Sequence, residues 1–247
     1  MYKIFATFGS YVSLLRSAVS KPEKAQMYWK ETFRQANEIG IGSLVIIAIV
    51  ATFIGAVTAV QFSYQLKSIG IVPMWWMGSI LRKSIILELA PTISALLLAG
   101  KVGSNIASEL GSMRISEQID AYEIMGVNTP GYLVGPKILA AVIVVPLLVV
   151  IAVFLGIMGG WVGGVAGGYF STAEYVRGLQ DLFLTKDLNI MLIKSTLFGF
   201  IIASISCYKG FYVEGGAIEI GKASTQAVVV SSIAVIVVNF FVAFLLL

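Results

Sequence analysis

Histidine is absent from this chain of 247 residues, and cysteine occurs once, at Cys207. Without histidine there is no imidazole to activate a nucleophile, to bind a metal or to sense pH near neutrality. A single cysteine closes no disulfide within the chain, and inside an apolar run it reads as a small, inert side chain. Charge is scarce as well, at 12% of residues, against roughly 25% in ordinary globular domains. The net charge of +4 is dispersed, whereas a nucleic-acid footprint needs clustered basic residues. No Ser/Lys or paired-carboxylate arrangement marks an active site, so an intramembrane enzyme is disfavoured.

Apolar residues fill the space, at 58% of the chain with a mean hydropathy of +0.92. About 20 consecutive apolar residues cross a bilayer, and five runs qualify: Ile41 to Phe62, Ile71 to Leu98, Tyr132 to Val165, about Ile190 to Tyr208, and about Ala227 to Leu247. The second run is interrupted by Arg82, Lys83 and Glu88, and Pro91 is expected to kink or break it. The expected fold is therefore an all-α membrane protein with five transmembrane helices. Residues 1–36 form an amphipathic region lying in the interface, and residues 37–247 form the five-span domain. In the first region Ile4, Phe5, Phe8, Tyr11, Val12 and Leu15 recur at helical spacing. Lys21, Lys24, Lys30 and Arg34 follow, with Tyr28, Trp29 and Phe33 as interfacial anchors. A secretory signal would show an unbroken apolar core instead.

Five spans place the termini on opposite sides of the membrane. Basic residues gather at the amino-terminal region (Lys3, Arg16, Lys21, Lys24, Lys30, Arg34) and in the loops holding Lys101, Arg114, Lys137, Lys209 and Lys222. Lys67, Arg177, Lys186 and Lys194 on the other side are diluted by Glu174, Asp181 and Asp187. The positive-inside rule then puts the amino terminus and the 101–137 and 209–225 loops in the cytoplasm.

Between the second and third runs sits ELGSMRISEQIDAYEIMG, Glu109 to Gly126. Leu110, Met113, Ile115, Ile119 and Tyr122 recur on an apolar side, with Met125 one step further on, and Arg114, Glu117 and Asp120 follow at i+3 steps. Gly126 suits the C′ position and Pro130 stops continuation. A plain connector needs only a few residues, so an amphipathic helix, about residues 105–126, is read either as a solvated link or as a docking element. Gly216 to Ser224 imitates the phosphate loop G-x-x-x-x-G-K. Ala223 stands where a hydroxyl is needed for Mg²⁺, and no strand–helix–strand unit surrounds it. Glu88, a carboxylate within an apolar run, is read as a polar cavity lining or proton site, or as one bonded to neighbouring helices. Gln61 and Tyr64 are weaker candidates of the same kind. The glycines at 156–168 are read as permitting close helix packing, with a subunit interface as a further use.

Five pieces then carry a family resemblance: ELAP at Glu88 to Pro91, AGKVGS at Ala99 to Ser104, ELGSMR at Glu109 to Arg114, EQ at Glu117 and Gln118, and EIMGV at Glu123 to Val127. The chain resembles MlaE-type permeases, membrane subunits of ABC transporters that maintain outer-membrane lipid asymmetry, and the similarity extends over nearly its whole length. The resemblance implies a homodimer in the bacterial inner membrane, with N-terminus cytoplasmic and C-terminus periplasmic. It implies a separate cytoplasmic ATPase subunit that binds ATP and Mg²⁺, so that this chain is no enzyme and holds no cofactor. A periplasmic MCE-domain protein, a small cytoplasmic accessory subunit and phospholipid complete the expected partners. Glu109, Met113, Arg114, Glu117, Gln118, Asp120, Tyr122 and Glu123 become candidates for coupling to the ATPase. Gln61, Tyr64, Glu88 and Pro91 become candidates for lining the lipid cavity. The family's R-E-L-G-P reads Leu87 to Pro91 here, without its arginine, and Arg82–Lys83 lies about one turn earlier. The alternatives are a permease for a sterol or other hydrophobic solute, an ion-coupled transporter using Glu88, and a membrane scaffold.

Overall fold

In lipid every backbone N–H and C=O must be satisfied within the protein, so an apolar run long enough to cross folds as one helix. The computed structural model describes residues 2–20, 25–69, 73–181 and 183–246, with side chains at 2–6, 25 and 69 outside that description. Lys21, Lys24, Ile71 and Leu247 therefore lie outside the described residues, as do the side chains of Lys3, Ile4 and Phe5. The described chain forms α1 (Tyr2–Val19), α2 (Ala25–Ile69), α3 (Trp76–Ser84), α4 (Ala90–Leu98), α5 (Ser104–Ile115), α6 (Gln118–Ile124), α7 (Gly135–Ala166), α8 (Thr172–Gln180), α9 (Thr185–Phe211) and α10 (Ala217–Leu246). No strand occurs among the described residues. Five stretches are long and apolar enough to cross a membrane: Gln26–Ser68, Trp76–Ile115, Pro130–Ala166, Thr185–Phe211 and Ala217–Leu246. The protein is an all-α membrane protein.

The second span is neither broken nor two half-helices. Helices α3, α4 and α5 run on through two π-helical turns, Ile85–Leu89 and Ala99–Gly103. Pro91 has no N–H for the carbonyl of Leu87 four residues back. The wider turn just before it absorbs the mismatch, as π-bulges do, and Lys194 Nζ donates to that carbonyl at 3.0 Å. Proline is accommodated again at Pro146, which lies inside α7.

The chain divides into two compact units. One gathers Leu44–Ser94, Pro146–Ser195 and Val242–Leu247. Its α2 and α7 meet along a glycine seam: a Cβ on Gly55 would lie 1.9 Å from the Gly156 carbonyl oxygen, and one on Gly159 would lie 2.0 Å from that of Thr52. The expected use of these glycines in close packing is what the seam shows. Helix α8 starts at a capping box, in which Ser171 Oγ accepts from the Glu174 N–H and Glu174 accepts from the Ser171 N–H. The bonds that its carboxylate accepts from the Ser171 N–H and hydroxyl hold the Glu174 carboxyl below the ordinary range. Arg82, which is buried, donates to the carbonyls of Leu179 and Asp181 at the end of α8. This arginine is thus committed to the end of a helix.

The other unit gathers Met1–Ser43, Ala95–Val145 and Thr196–Phe241. Here α1 leaves exposed part of the apolar face that spacing marks out, and buries a neighbouring stripe. Leu14 and Ala18 are the buried positions, while Phe8 is 65% and Val12 45% exposed. Tyr11 Oη donates to Ser204 Oγ at 2.8 Å, and burial raises its hydroxyl above the ordinary value, which keeps it a neutral donor. Asn128 Nδ2 donates to the carbonyls of Ser17 and Ser20, closing the end of α1. One stripe therefore packs on protein, and the neighbouring apolar stripe stays exposed. The basic Lys30 and Arg34 belong to the first turns of α2, which begins well before its apolar run.

Candidate functional site

The segment between the second and third spans is not one helix. Helix α5 ends at Ile115, Ser116 leaves helical geometry, and Glu117 takes a left-handed conformation with φ 60° before α6 begins. Ser116 Oγ bonds back to the Ser112 carbonyl at 2.7 Å, a competition with the backbone that favours helix ends. Arg114 Nη1 and Asp120 Oδ1 form an ion pair at 2.8 Å across the break. Helical spacing persists through the interruption, which is why periodicity alone reads a single helix.

The eight coupling candidates separate by surroundings. Glu109 turns inward, accepting from Lys137 Nζ at 2.5 Å, and Lys137 is only 2% exposed. Tyr122 meets Tyr132 edge to face at 5.9 Å. Glu123 accepts from Thr129 Oγ1 at 3.1 Å. Met113, Arg114 and Asp120 are half-buried, while Glu117 and Gln118 are exposed. Ile119 is fully buried and anchors α6. Outside the eight candidates stand Ile124, which spacing missed and which is 88% exposed, and Met125, which spacing put on the apolar side and which is 66% exposed. They form an apolar tip where the helix ends at Gly126, whose φ of 78° suits glycine.

Glu117 supplies a test of local strain. A non-glycine residue in the left-handed region costs on the order of 1 kcal/mol. Glu117→Gly is expected to raise the stability of the purified protein by about that amount, read as a higher midpoint of thermal unfolding in detergent. A lower midpoint would mean that the glutamate side chain holds the break together.

The four lining candidates lie in the other unit. Gln61 borders a groove of about 240 Å³ with Ala56, Val57 and Val60 on α2, and Tyr64 is exposed on the same helix. Glu88 sits in the π-helical turn, and its partner comes from 106 positions away: Lys194 Nζ donates to Glu88 Oε2 at 2.9 Å. Thr92 Oγ1 donates to Glu88 Oε1 at 3.2 Å. Lys194 was expected among the outer loop cations, but it lies inside α9 with its side chain fully buried. Glu88 is 48% exposed, so the pair presents a carboxylate edge outward and keeps the ammonium inside. Pro91 is buried. Low-dielectric burial of an ammonium is tolerable only with such partners.

The phosphate-loop imitation is part of a helix. Ala217 starts α10, Gly221 and Lys222 lie in its first turns, and Lys222 pairs with Glu219 at 2.6 Å. That is no cradle of backbone N–H groups.

Comparison with known proteins agrees with this architecture. The family model "Permease MlaE" matches residues 32–245. A probable ABC transporter permease protein of Rickettsia typhi is 35% identical over 243 residues, covering 98% of this chain and 91% of the relative. A probable ABC transporter permease protein of Synechocystis is 34% identical over 217 residues, covering 88% and 82%. The chloroplastic protein Trigalactosyldiacylglycerol 1 of Arabidopsis thaliana is 29% identical over 217 residues, covering 88% and 61%. The chain belongs to the MlaE permease family of ABC transporters.

Proposed function

We propose that the chain moves phospholipid, as a homodimer in a bacterial inner membrane, between that membrane and a periplasmic MCE-domain carrier. ATP and Mg²⁺ are bound by a separate cytoplasmic ATPase, the partner that an ABC permease implies, and a small cytoplasmic accessory subunit completes the assembly. The observation that carries the coupling half of this reading is the Ile124–Met125 tip, an exposed apolar pair held on α6 by Ile119 and the Arg114–Asp120 pair. A related protein carries the name of a diacylglycerol lipid, which supports a lipid cargo. Helices α10 and α2 bury only 17% and 28% of their spanning windows, against 44% to 61% in the other three. That leaves wide apolar faces for lipid and for a second copy. The amino-terminal region and the 101–137 and 209–225 loops all fall in one unit, in keeping with a shared cytoplasmic side; with five spans the carboxy terminus is then periplasmic.

In this mechanism ATP-driven closure of the ATPase pair presses on the two α5–α6 tips. The lipid cavity between the permease copies narrows and expels its occupant, with no covalent step on the lipid. Glu88, Gln61 and Tyr64 line that cavity, and Pro91, buried, shapes the turn that presents Glu88. Glu88 acts as a fixed polar edge, its charge balanced by Lys194, which argues against a proton-coupled role.

Affinity purification in mild detergent, with mass spectrometry of co-purifying subunits and lipid, tests the reading. A sterol without phospholipid would reassign the cargo. Replacing Ile124 and Met125 together by Glu is expected to lower ATPase recovery by at least tenfold, since hot-spot apolar residues each contribute on the order of 2 kcal/mol. Undiminished recovery would remove the tip from the docking surface.

A further inference from the structure

A cleft of about 520 Å³ opens between the start of the apolar run on α2, residues 101–108 and Ser224 of α10, all in the unit that holds the α5–α6 tip. Its walls carry two polar rungs. Lys101 Nζ donates to the Gly42 carbonyl. Asn105, four residues on, donates from Nδ2 to Glu38 Oε1 at 3.0 Å, and Glu38 lies four residues before Gly42. An ammonium and a carboxylate thus stand about one helical turn apart along the cleft, roughly 6 Å at the rise of an α-helix. Both Lys101 and Glu38 are exposed.

The lining also includes Ser43, which is fully buried and whose Oγ has no hydrogen-bond partner. Leaving a buried hydroxyl without a partner is costly, and one that borders a cleft can regain that cost from an occupant. Two observations fix the depth. Gly42 stands at the first residues of the α2 apolar run, and Lys101 follows directly on the apolar run that ends at Leu98. Both walls therefore reach the same polar–apolar boundary, where headgroups lie.

We propose that this cleft holds the zwitterionic headgroup of a phospholipid, the phosphodiester at Lys101 and Ser43 and the ammonium at Glu38. The proposal rests on the lipid-permease reading and adds to it a headgroup class and a second site, on the side of the α5–α6 tip. An uncharged sterol offers neither charge. A phospholipid with a glycerol headgroup offers only the phosphate.

The test uses the full chain purified in mild detergent, exchanged with equal amounts of phosphatidylethanolamine and phosphatidylglycerol, with retained lipid counted by native mass spectrometry. Glu38→Gln keeps an acceptor for Asn105 and removes only the charge. It is expected to lower the ethanolamine-to-glycerol ratio roughly tenfold, the scale of one charge-assisted hydrogen bond, leaving glycerol-lipid retention as it was. Lys101→Gln and Ser43→Ala are expected to lower retention of both lipids, and Lys101→Arg to preserve it. A ratio that is the same in wild type and Glu38→Gln, or retention of both lipids that is the same in wild type and Lys101→Gln, overturns the proposal. If Lys101→Gln instead dissociates a wild-type dimer with lipid retention per chain unaltered, the cleft belongs to a second copy. Stabilisation of lipid-free wild type by inorganic phosphate, lost in Lys101→Gln with lipid retention unaltered, assigns it to a free anion; both results overturn the proposal. Wild type that retains no phospholipid at all sinks the lipid-permease reading itself.

Discussion

Gly159→Ala is expected to unfold or misassemble the protein at temperatures where wild type is intact. The added Cβ would stand 2.0 Å from the Thr52 carbonyl oxygen, with Thr52 Cα at 2.9 Å. A flexible side chain could turn away, but here the obstacle is the backbone of a long helix, so α2 and α7 must separate. Overpacking typically costs 1–3 kcal/mol, and against backbone about 3 kcal/mol or more is expected. That is a large part of a stability of roughly 5–15 kcal/mol. Gly55→Ala meets the Gly156 carbonyl oxygen at 1.9 Å and should behave alike. Gly221→Ala is the control, because its Cβ meets nothing within 4 Å and the position is helical. Alanine there should be neutral or stabilise by roughly 0.5–1 kcal/mol. Size-exclusion profiles and thermal unfolding midpoints in detergent decide the matter. If Gly159→Ala matches Gly221→Ala, α2 and α7 do not touch as closely as the seam requires.

The seam was legible because glycine clustering in an apolar run has few other uses. The five spans were legible for a related reason: crossing a membrane demands length and apolarity together, and both are visible in one dimension. Contacts between distant residues were not. Glu88 announced itself as a carboxylate in an apolar run, but nothing near it in sequence pointed to Lys194, which at a helix beginning resembles an ordinary loop cation. Helix α1 hid its protein contact for another reason. It has two apolar stripes, Phe8–Val12 and Leu14–Ala18, and spacing cannot say which one meets protein. The break at Ser116–Glu117 was hidden because Ile115, Ile119 and Tyr122 keep helical spacing across it. Glu109 looked like part of a charged docking face until Lys137, from the next span, claimed it. Even the tip residues Ile124 and Met125 needed the actual end of α6 to be seen as exposed.

The Glu88–Lys194 pair sets the last expectation, an asymmetry between two single substitutions. Removing one member of a buried ion pair costs about 3–5 kcal/mol, chiefly because the other charge is left buried without compensation. Lys194 is fully buried and Glu88 is 48% exposed. Glu88→Ala strands an ammonium in the interior with the Leu87 carbonyl to accept from it, so the full penalty is expected. Lys194→Met leaves a carboxylate that water and Thr92 still reach, and its main cost is the Leu87 carbonyl, whose helical donor Pro91 lacks; about 1–3 kcal/mol follows. Glu88→Ala with Lys194→Met removes both charges and should be more stable than Glu88→Ala alone. Thermal unfolding of the four proteins gives the coupling free energy directly, and lipid retention measured alongside separates fold from function. If the double variant is stable but holds less phospholipid than wild type, the exposed carboxylate edge acts on the cargo. If it is stable and holds as much, the pair serves only to join the π-helical turn to α9. Equal costs for the two single variants with no coupling between them would mean that the 2.9 Å contact is not a working pair.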